Sequence, residues 1–189
     1  MTADHWLRGV RRLPSPNADA RPPGATIDLV VLHNISLPPG RFGGGEVEAL
    51  FCNELDCSIA PELEDLRSLK VSAHLLVSRR GRITQFVPFD QRAWHAGVSG
   101  WDGRPGCNDY AIGIELEGTD ERSYTQSQYR QLDRILDTLL RTYPRLSAER
   151  IVGHQQIAPG RKTDPGPSFD WARVLNRQLR RAAGRADPV

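Results

Sequence analysis

The run TIDLVVLHNIS, residues 26–36, constrains the fold of this chain more than any other segment. It is short and rich in β-branched residues and leucine, and the turn-forming sequence LPPG closes it directly afterwards. A short apolar run of this kind, bounded by a turn, is typical of a buried strand. The segment therefore predicts a buried strand that ends near His33.

Other segments show strand and helix patterns in irregular alternation. VSAHLLVS and RITQFVPF flank the turn RRG and predict two antiparallel strands, and YAIGIELEG (110–118) predicts another strand. A helix is expected from Thr125, because Thr125 and Gln128 form a capping-box pattern and apolar residues then recur at three- and four-residue spacing. IVGH (151–154) predicts a last short strand, and SFDWARVLNRQL predicts a C-terminal helix with Ser168 as its N-cap.

Three segments lack a clear period. Residues 11–25 are rich in proline, arginine and small polar residues and predict an irregular arm over the domain. Residues 94–109 predict a loop, and residues 46–55 predict a short helix followed by a long loop with a helical turn. Together these patterns predict an α/β fold: a single domain with a central mixed β-sheet flanked by helices.

Length and composition bound the remaining possibilities. The 189 residues, 39% of them apolar, suffice for one domain with a real core. We expect an N-terminal arm (1–25) packed on a main domain (26–182), with a C-terminal tail (183–189). The net charge of +2, from 25 basic and 23 acidic residues, offers no electrostatic basis for binding nucleic acid.

The chain start contains no apolar region of a secretory signal, and no segment approaches the roughly 18 apolar residues of a membrane span. We therefore expect no membrane partner. The three cysteines lack CxxC spacing, which argues against a disulfide framework and against a zinc site built from sulfur. A cytoplasmic location is the expectation.

Two histidines stand at the ends of predicted strands, where α/β sheets usually carry their sites. His33 ends an apolar strand face, and burying an unpaired imidazole is costly, so it needs a partner. One alternative is a core histidine bonded to a backbone carbonyl. The other alternative joins it to His154 and to Asp164 of GHQQIAPGRKTDPGPSFDW. Two imidazoles and one carboxylate suit catalytic zinc and leave a fourth position for water, although their spacing matches no short helical zinc motif.

Lys162 and two glutamates are candidates for the chemistry itself. Lys162 lies two residues before Asp164, so in an extended segment both side chains point the same way. An ammonium there could stabilise an oxygen that gains negative charge, and the alternative is a solvated lysine on a loop. Glu115 and Glu117 share a strand face with Gly113, and either carboxylate could be a general base. Periodicity does not separate these two glutamates.

The chain resembles a known family in four segments, which occur in the order LVVLHNISLPPG, VSAHLLVSRRGRITQFVPFDQRAWHAGVS, CNDYAIGIELEGTD and GHQQIAPGRKTDPGPSFDW. This family is the zinc N-acetylmuramoyl-L-alanine amidases, which are related to peptidoglycan-recognition proteins and phage amidases. The resemblance extends from about residue 7 to residue 175. It implies the fold of that family and one Zn²⁺ per chain, bound by His33, His154 and Asp164.

The resemblance also implies roles for individual side chains. It implies Glu115 and Lys162 as the catalytic pair, and so separates Glu115 from Glu117. By their positions in the motifs, four more residues are expected to contact the substrate: Asn34, Lys70, His74 and Trp94. Lys70 stands where relatives carry arginine, and a lysine lacks the bidentate fork that arginine offers to a carboxylate.

The implied function is hydrolysis of the amide bond between N-acetylmuramic acid, including its 1,6-anhydro form, and L-alanine in muropeptides, for cytoplasmic peptidoglycan recycling. The implied partner is a small muropeptide, and a monomer is expected. Two alternatives stand beside this hypothesis. One is a non-catalytic peptidoglycan-binding module, although such relatives typically lose a zinc ligand. The other is an amidase that acts on intact cell wall.

Overall fold

The computed structural model describes residues 1–183, with side chains for residues 1–179. Its strands are β1 (Arg11–Arg12), β2 (Ala18–Ala20), β3 (Leu29–Ile35), β4 (Leu75–Val77), β5 (Ile83–Gln85), β6 (Gln91–Ala93), β7 (Gly100–Trp101), β8 (Arg104–Pro105), β9 (Ala111–Glu117) and β10 (Ile151–Gly153). Its α-helices are α1 (Glu46–Phe51), α2 (Gln126–Thr142), α3 (His154–Ile157) and α4 (Trp171–Ala183). Within the described range, none of the helices is both long and apolar enough to cross a bilayer. The tail predicted over residues 183–189 lies outside this range except for its first residue.

Six strands form the central sheet, in the order β1-β5-β4-β9-β3-β10. Strands β3 and β9 pair in parallel along their whole length, with His33 beside Glu115, and β10 pairs in parallel with the other side of β3. Strand β4 is parallel to β9 and antiparallel to β5, which confirms the predicted hairpin. The sheet is therefore mixed, as expected, and the adjacent strands β9, β3 and β10 all end at the same edge.

Different layers cover the two faces of the central sheet. Val30 of β3 belongs to the main core, which also contains the apolar residues of α2 and α4. The alternate residues Leu29 and Val31 pack on the opposite face, against residues of the segment 96–111. Because side chains alternate along a strand, His33 lies on this second face, away from α2.

Helix α2 begins and packs as the sequence predicts. The Thr125 hydroxyl accepts from the backbone N–H of Gln128 (3.1 Å), and the Gln128 side chain accepts from the backbone N–H of Thr125 (3.0 Å). This capping box is confirmed. The apolar residues buried by the helix recur at three- and four-residue spacing: Tyr129, Leu132, Ile135, Leu136 and Leu139. Helix α1 likewise falls within the predicted segment 46–55.

The N-terminal arm differs from the irregular structure that its composition predicts. Strand β1 pairs in parallel with β5, and β2 pairs antiparallel with β6. These two strands have only two and three residues, which is too short for an alternating pattern to appear in the sequence. The arm adds strands because β5 and β6 offer backbone N–H and C=O groups that need partners.

Two further local predictions are wrong. Residues 94–109, predicted as a loop, contain the small hairpin β7–β8. Ser168 is not the N-cap of α4, because its hydroxyl donates to the carbonyl of Asp120 (2.5 Å). The cap is Asp170, whose carboxylate accepts from the backbone N–H of Arg173 (2.9 Å). Serine and aspartate are both preferred N-caps, so the sequence offered two suitable residues only two positions apart.

Candidate metal centre and active site

Two histidines and one aspartate converge at the edge where β3 and β10 end. Nδ1 of His33 lies 3.0 Å from Nδ1 of His154, and Oδ2 of Asp164 lies 3.1 Å from each nitrogen. The two histidines are 1% and 4% exposed, whereas Asp164 retains some contact with solvent. The structure therefore brings together the three residues that the sequence analysis singled out as metal ligands.

The local sequence places each of these side chains. His33 lies near the end of β3, on the sheet face away from α2, and His154 is the first residue after β10. A Cβ atom on Gly153 would lie 2.8 Å from Cδ of Pro165. A glycine is thus required for Pro165, and with it Asp164, to approach the end of β10.

A turn leads from α3 into the segment that carries Lys162 and Asp164. The backbone N–H groups of Arg161 and Lys162 both donate to the carbonyl oxygen of Ala158 (3.1 Å each). A tight turn therefore follows α3. This turn directs the chain back toward the cluster, where Asp164 lies.

Hydrogen bonding determines which nitrogen of His154 is an acceptor. Its Nε2 lies 3.1 Å from the carbonyl oxygen of Ala96, and a carbonyl can only accept, so Nε2 carries the proton. In a neutral imidazole Nδ1 then holds a lone pair, which faces the carboxylate of Asp164 at 3.1 Å. Two acceptors at this distance repel each other unless a cation or a proton lies between them.

The donor set and its spacing fit a zinc ion. Catalytic zinc sites combine three protein ligands at about 2.0–2.2 Å with a fourth, open position. Tetrahedral geometry at those bond lengths separates the ligand atoms by about 3.3–3.6 Å. The distances of 3.0–3.1 Å in the cluster are only slightly shorter. A small outward movement of the side chains would therefore accommodate the ion.

The protonation states also suit a divalent cation. Burial lowers the pKa of His33 to about 4, although Asp164 partly opposes this shift. Burial raises the pKa of Asp164, but the two imidazoles more than offset that effect and bring it well below its usual range. At neutral pH His33 is therefore neutral and Asp164 ionised, so neither must lose a proton to bind a metal.

The carboxyl group of Glu115 lies beside the cluster. Glu115 is opposite His33 in the β3–β9 pairing and only 8% exposed. Its Oε2 atom is buried and has no hydrogen-bond partner among residues 1–179. Burial raises the pKa of Glu115 well above its usual range, the charge of Asp164 raises it further, and Lys162 lowers it. This carboxyl group can therefore hold a proton at a pH where an exposed glutamate cannot.

Glu117 has a different environment, although it shares a strand face with Glu115. One of its carboxylate oxygens accepts from the backbone N–H of Gly43, and the other accepts from that of Arg79 (2.8 Å). Glu117 thus joins two loops to the end of β9. The hydrogen bonds therefore separate the two glutamates, which periodicity could not do.

Lys162 is exposed at the rim of the cluster. Its positive charge favours the ionised form of Glu115 and the neutral form of His33. The ammonium group thus acts electrostatically on the same centre as the three candidate ligands. A role of Lys162 toward an anion that forms at this centre stays a prediction.

Two of the predicted substrate contacts have partly exposed side chains. Asn34 follows His33 directly, and its side-chain amide donates to the carboxylate of Asp120 (2.7 Å). The indole N–H of Trp94 donates to the carboxylate of Asp19 (3.2 Å). Both side chains are held in place by these carboxylates. Their roles toward a substrate stay predictions.

The other two predicted contacts differ from each other in exposure. Lys70 is exposed and lines a small groove with Leu69 and other residues of the 50–70 segment. His74 is 0% exposed, and its Nδ1 accepts from the backbone N–H of Gly113 (3.0 Å). Since none of its surface is accessible, this structure does not support direct contact between His74 and a substrate.

Two further residues of the centre, His95 and Ala96, were not predicted from the sequence. Nδ1 of His95 lies 3.0 Å from Nε2 of His33, and the carbonyl of Ala96 accepts from His154. The available signal was a histidine in a glycine-rich segment, WHAG. A residue that acts through its backbone carbonyl leaves no trace in a side-chain pattern.

The fold and the centre agree with one class of protein. The sequence profile of the N-acetylmuramoyl-L-alanine amidase family matches residues 23–167. The chain therefore belongs to this amidase family, which confirms the resemblance and the enzyme class inferred from the sequence.

Within that class the chain is similar to 1,6-anhydro-N-acetylmuramyl-L-alanine amidase AmpD of Escherichia coli (strain K12), with 55% identity over 168 residues, 89% of this chain and 91% of the relative. A crystal structure of a selenomethionine derivative of AmpD matches with a TM-score of 0.90 and 52% identity, over 93% of this chain and 98% of that one. A complex of the E. coli amidase AmiD with anhydro-N-acetylmuramic acid-L-Ala-D-γ-Glu-L-Lys matches with a TM-score of 0.60 and 29% identity, over 84% of this chain and 60% of that one. These matches confirm the expected α/β fold.

Proposed function

We propose that this chain is a zinc-dependent amidase that cleaves the bond between N-acetylmuramic acid, including its 1,6-anhydro form, and L-alanine in muropeptides of peptidoglycan recycling. The observation that carries the proposal is the convergence of His33, His154 and Asp164 beside the buried carboxyl group of Glu115. The similarity to AmpD over 89% of the chain supports the substrate. We infer a cytoplasmic monomer, and the three free cysteines suit a reducing compartment.

His33, His154 and Asp164 would hold the zinc ion. When bound, zinc would act as a Lewis acid and lower the pKa of a water molecule from about 15.7 toward about 7. Glu115 would accept a proton from the attacking water through its unpartnered Oε2 and then donate it to the departing nitrogen of L-alanine. A raised pKa suits a carboxyl group that must both accept and donate near neutral pH.

Lys162 would stabilise the negative charge that develops on the carbonyl oxygen of the lactyl group during attack. Its exposed ammonium acts electrostatically on His33 and Glu115 and is not one of the three candidate ligands. Removing one such electrostatic donor typically lowers the rate by about 100- to 1000-fold. Lys162 is therefore assigned to turnover and not to metal binding.

The decisive experiment incubates the purified, zinc-loaded protein with a 1,6-anhydro-N-acetylmuramyl peptide and measures the free peptide by mass spectrometry. We expect release of a peptide with L-alanine at its new amino terminus, loss of release with a chelator, and recovery on adding zinc. Recovery of intact substrate after incubation would show that the protein is a binding module and not an enzyme. Clearing of whole sacculi, combined with poor cleavage of the soluble fragment, would instead assign the enzyme to intact wall.

A further inference from the structure

We propose that His95 is a positioning residue of the metal centre. It accepts a hydrogen bond from Nε2–H of His33 and thereby directs the Nδ1 lone pair of His33 to the metal. This inference rests on the proposed zinc-dependent function. It assigns a role to a side chain outside the three candidate ligands.

The geometry between His33 and His95 determines the tautomer. Nε2 of His33 lies 3.0 Å from Nδ1 of His95, and the two rings meet edge to face at a centroid distance of 5.0 Å. A neutral imidazole carries its proton on only one nitrogen. For Nδ1 of His33 to bind a cation, Nε2 must carry that proton and needs an acceptor. Nδ1 of His95 is at hydrogen-bond distance and supplies it.

The sequence makes room for His95 with a glycine. A Cβ atom on Gly113 would lie 2.4 Å from Cγ of His95, so the imidazole ring lies directly over this position of β9. A glycine inside a buried strand usually marks the close approach of another group. The backbone N–H of His95 also donates to the side chain of Asn108 (3.1 Å). The ring is thus held by its own backbone and by a site in β9 where any side chain would clash.

Consecutive residues support both histidine ligands. The side chain of His95 serves His33, and the carbonyl of Ala96 accepts from Nε2 of His154 at 3.1 Å. The same carbonyl also accepts from the guanidinium of Arg161 (2.6 Å). One short segment therefore orients the outer nitrogen of each imidazole. Partners of this kind fix the ring and tautomer of metal-bound histidines.

His95 acts on the centre through His33. Its Nδ1 lies at hydrogen-bond distance from Nε2 of His33, and it is not one of the three side chains that could hold the metal. Its ring lies between the rings of His33 and His74, with centroids 5.0 and 5.9 Å away. We therefore assign it to positioning and not to proton transfer with the substrate.

The test compares His95→Asn with His95→Leu. These two side chains have nearly the same shape, but the oxygen of asparagine can take the place of Nδ1 as acceptor, whereas leucine has none. Competition with a chromogenic chelator measures the zinc dissociation constant of each variant. We expect His95→Leu to bind zinc about 10- to 100-fold more weakly than the unaltered protein, and His95→Asn to stay within a few-fold of it.

A second measurement separates orientation from packing. The visible spectrum of bound Co²⁺ reports the coordination of the ion, so His95→Leu should alter it and His95→Asn should not. His5→Leu, which removes a histidine bonded to Tyr143 and outside the centre, is the matched control and should change neither readout. If His95→Leu does not fold, His95→Gln is measured instead. The side-chain amide of glutamine lies further from the backbone than Nδ1 of histidine, so it does not take the place of that acceptor.

Two results would overturn the inference. One is unchanged zinc affinity in His95→Leu, and the other is equal weakening in the leucine and asparagine variants, which would indicate packing alone. The unaltered protein is measured first for zinc binding and peptide release. If the unaltered protein neither binds zinc nor releases peptide, the proposed function is rejected. If it does both and His95→Leu binds zinc equally well, only the role of His95 is rejected.

Discussion

At the scale of single residues, the centre holds polar groups in states that a buried environment disfavours. Oε2 of Glu115 is buried without a partner among the described residues, and His154 directs a lone pair at the carboxylate of Asp164. Buried polar groups that lack partners destabilise a fold. These residues are therefore explained by chemistry rather than by packing. Replacing them should separate activity from stability.

The first prediction distinguishes a catalytic residue from a metal ligand. Lys162→Ala should retain zinc and lose turnover by about 100- to 1000-fold, because it removes one electrostatic donor. His154→Ala should lose both zinc and turnover, because it removes one of three ligands. Metal analysis of the purified variants and an assay of peptide release measure the two effects. Equal zinc content together with equal activity in the two variants would contradict the assignment.

The second prediction concerns the pH dependence of stability in the metal-free protein. Burial raises the pKa of Glu115 in the folded state, so between its ordinary and its raised pKa the folded state binds more protons than the unfolded state. Stability therefore falls as pH rises through that window. Glu115→Gln stays neutral, so it should be more stable than the unaltered protein at pH 8, with the difference vanishing below about pH 4.

Urea denaturation at several pH values, in the presence of a chelator, measures this difference. Glu117→Gln is the matched control, because the carboxylate of Glu117 accepts from two backbone N–H groups and an amide oxygen cannot replace both oxygens. That variant should be destabilised rather than stabilised at pH 8. A stability gap for Glu115→Gln that does not change with pH would rule out burial of its charge as the cause.

Sequence spacing identified single residues better than their contacts. His33 and His154 could be recognised because histidines that end apolar strands need partners. The choice between Glu115 and Glu117 depends on hydrogen bonds from Gly43 and Arg79, which lie far away along the chain. No period in the strand contains that information. The resemblance to a family predicts Glu115 as the catalytic residue, and that role stays a prediction.

At the scale of secondary-structure elements, one side chain connects the N-terminal arm to the rest of the domain. The guanidinium of Arg21 donates to the backbone carbonyls of Phe89, Asn108, Asp109 and Ala111 at 2.9–3.2 Å. Burial lowers the pKa of Arg21 to about 10, so it remains charged at neutral pH. It thus joins the end of β2 to the chain entering β9.

The third prediction follows from this arrangement. Arg21→Met should lower the free energy of unfolding by about 3 kcal/mol or more, because hydrogen bonds from a charged donor contribute about 1.5–3 kcal/mol each and the buried carbonyls lose their partner. Arg67→Met, which removes an exposed arginine paired with Glu64, should leave stability nearly unchanged. Urea denaturation of both variants checks this, and similar losses would show that Arg21 does not anchor the arm.

Elements with strong local signals were predicted well, and elements made by tertiary contact were not. Helix α2 carries its capping box and its apolar face within the sequence itself. By contrast, β1 and β2 exist because β5 and β6 lie beside them, and their polar residues give no strand pattern. The N-cap of α4 was missed because Ser168 and Asp170 are both suitable caps.

At the scale of the whole molecule, the order of strands in the sheet creates the centre. His33, Glu115 and His154 are far apart in sequence, and they meet because β9, β3 and β10 are adjacent and end at one edge. Ligand sites in α/β sheets form at such edges. The sequence indicated where the strands end but not their order, so it could not show that these three residues meet.

The last prediction tests whether the centre contributes to the stability of the entire fold. Zinc that binds only the folded state should stabilise it by about 2.7 kcal/mol at a free concentration of 100 times the dissociation constant, which raises the melting temperature of a chain of this size by about 5–10 °C. A chelator should reverse the shift.

Asp164→Asn isolates the cause of that shift. An amide oxygen lacks the negative charge of the carboxylate that would bind the ion, so the variant should gain little from zinc. Differential scanning calorimetry with zinc and with chelator compares the two proteins. If zinc raised both melting temperatures equally, the ion would be bound elsewhere, and the convergence of His33, His154 and Asp164 would need another explanation.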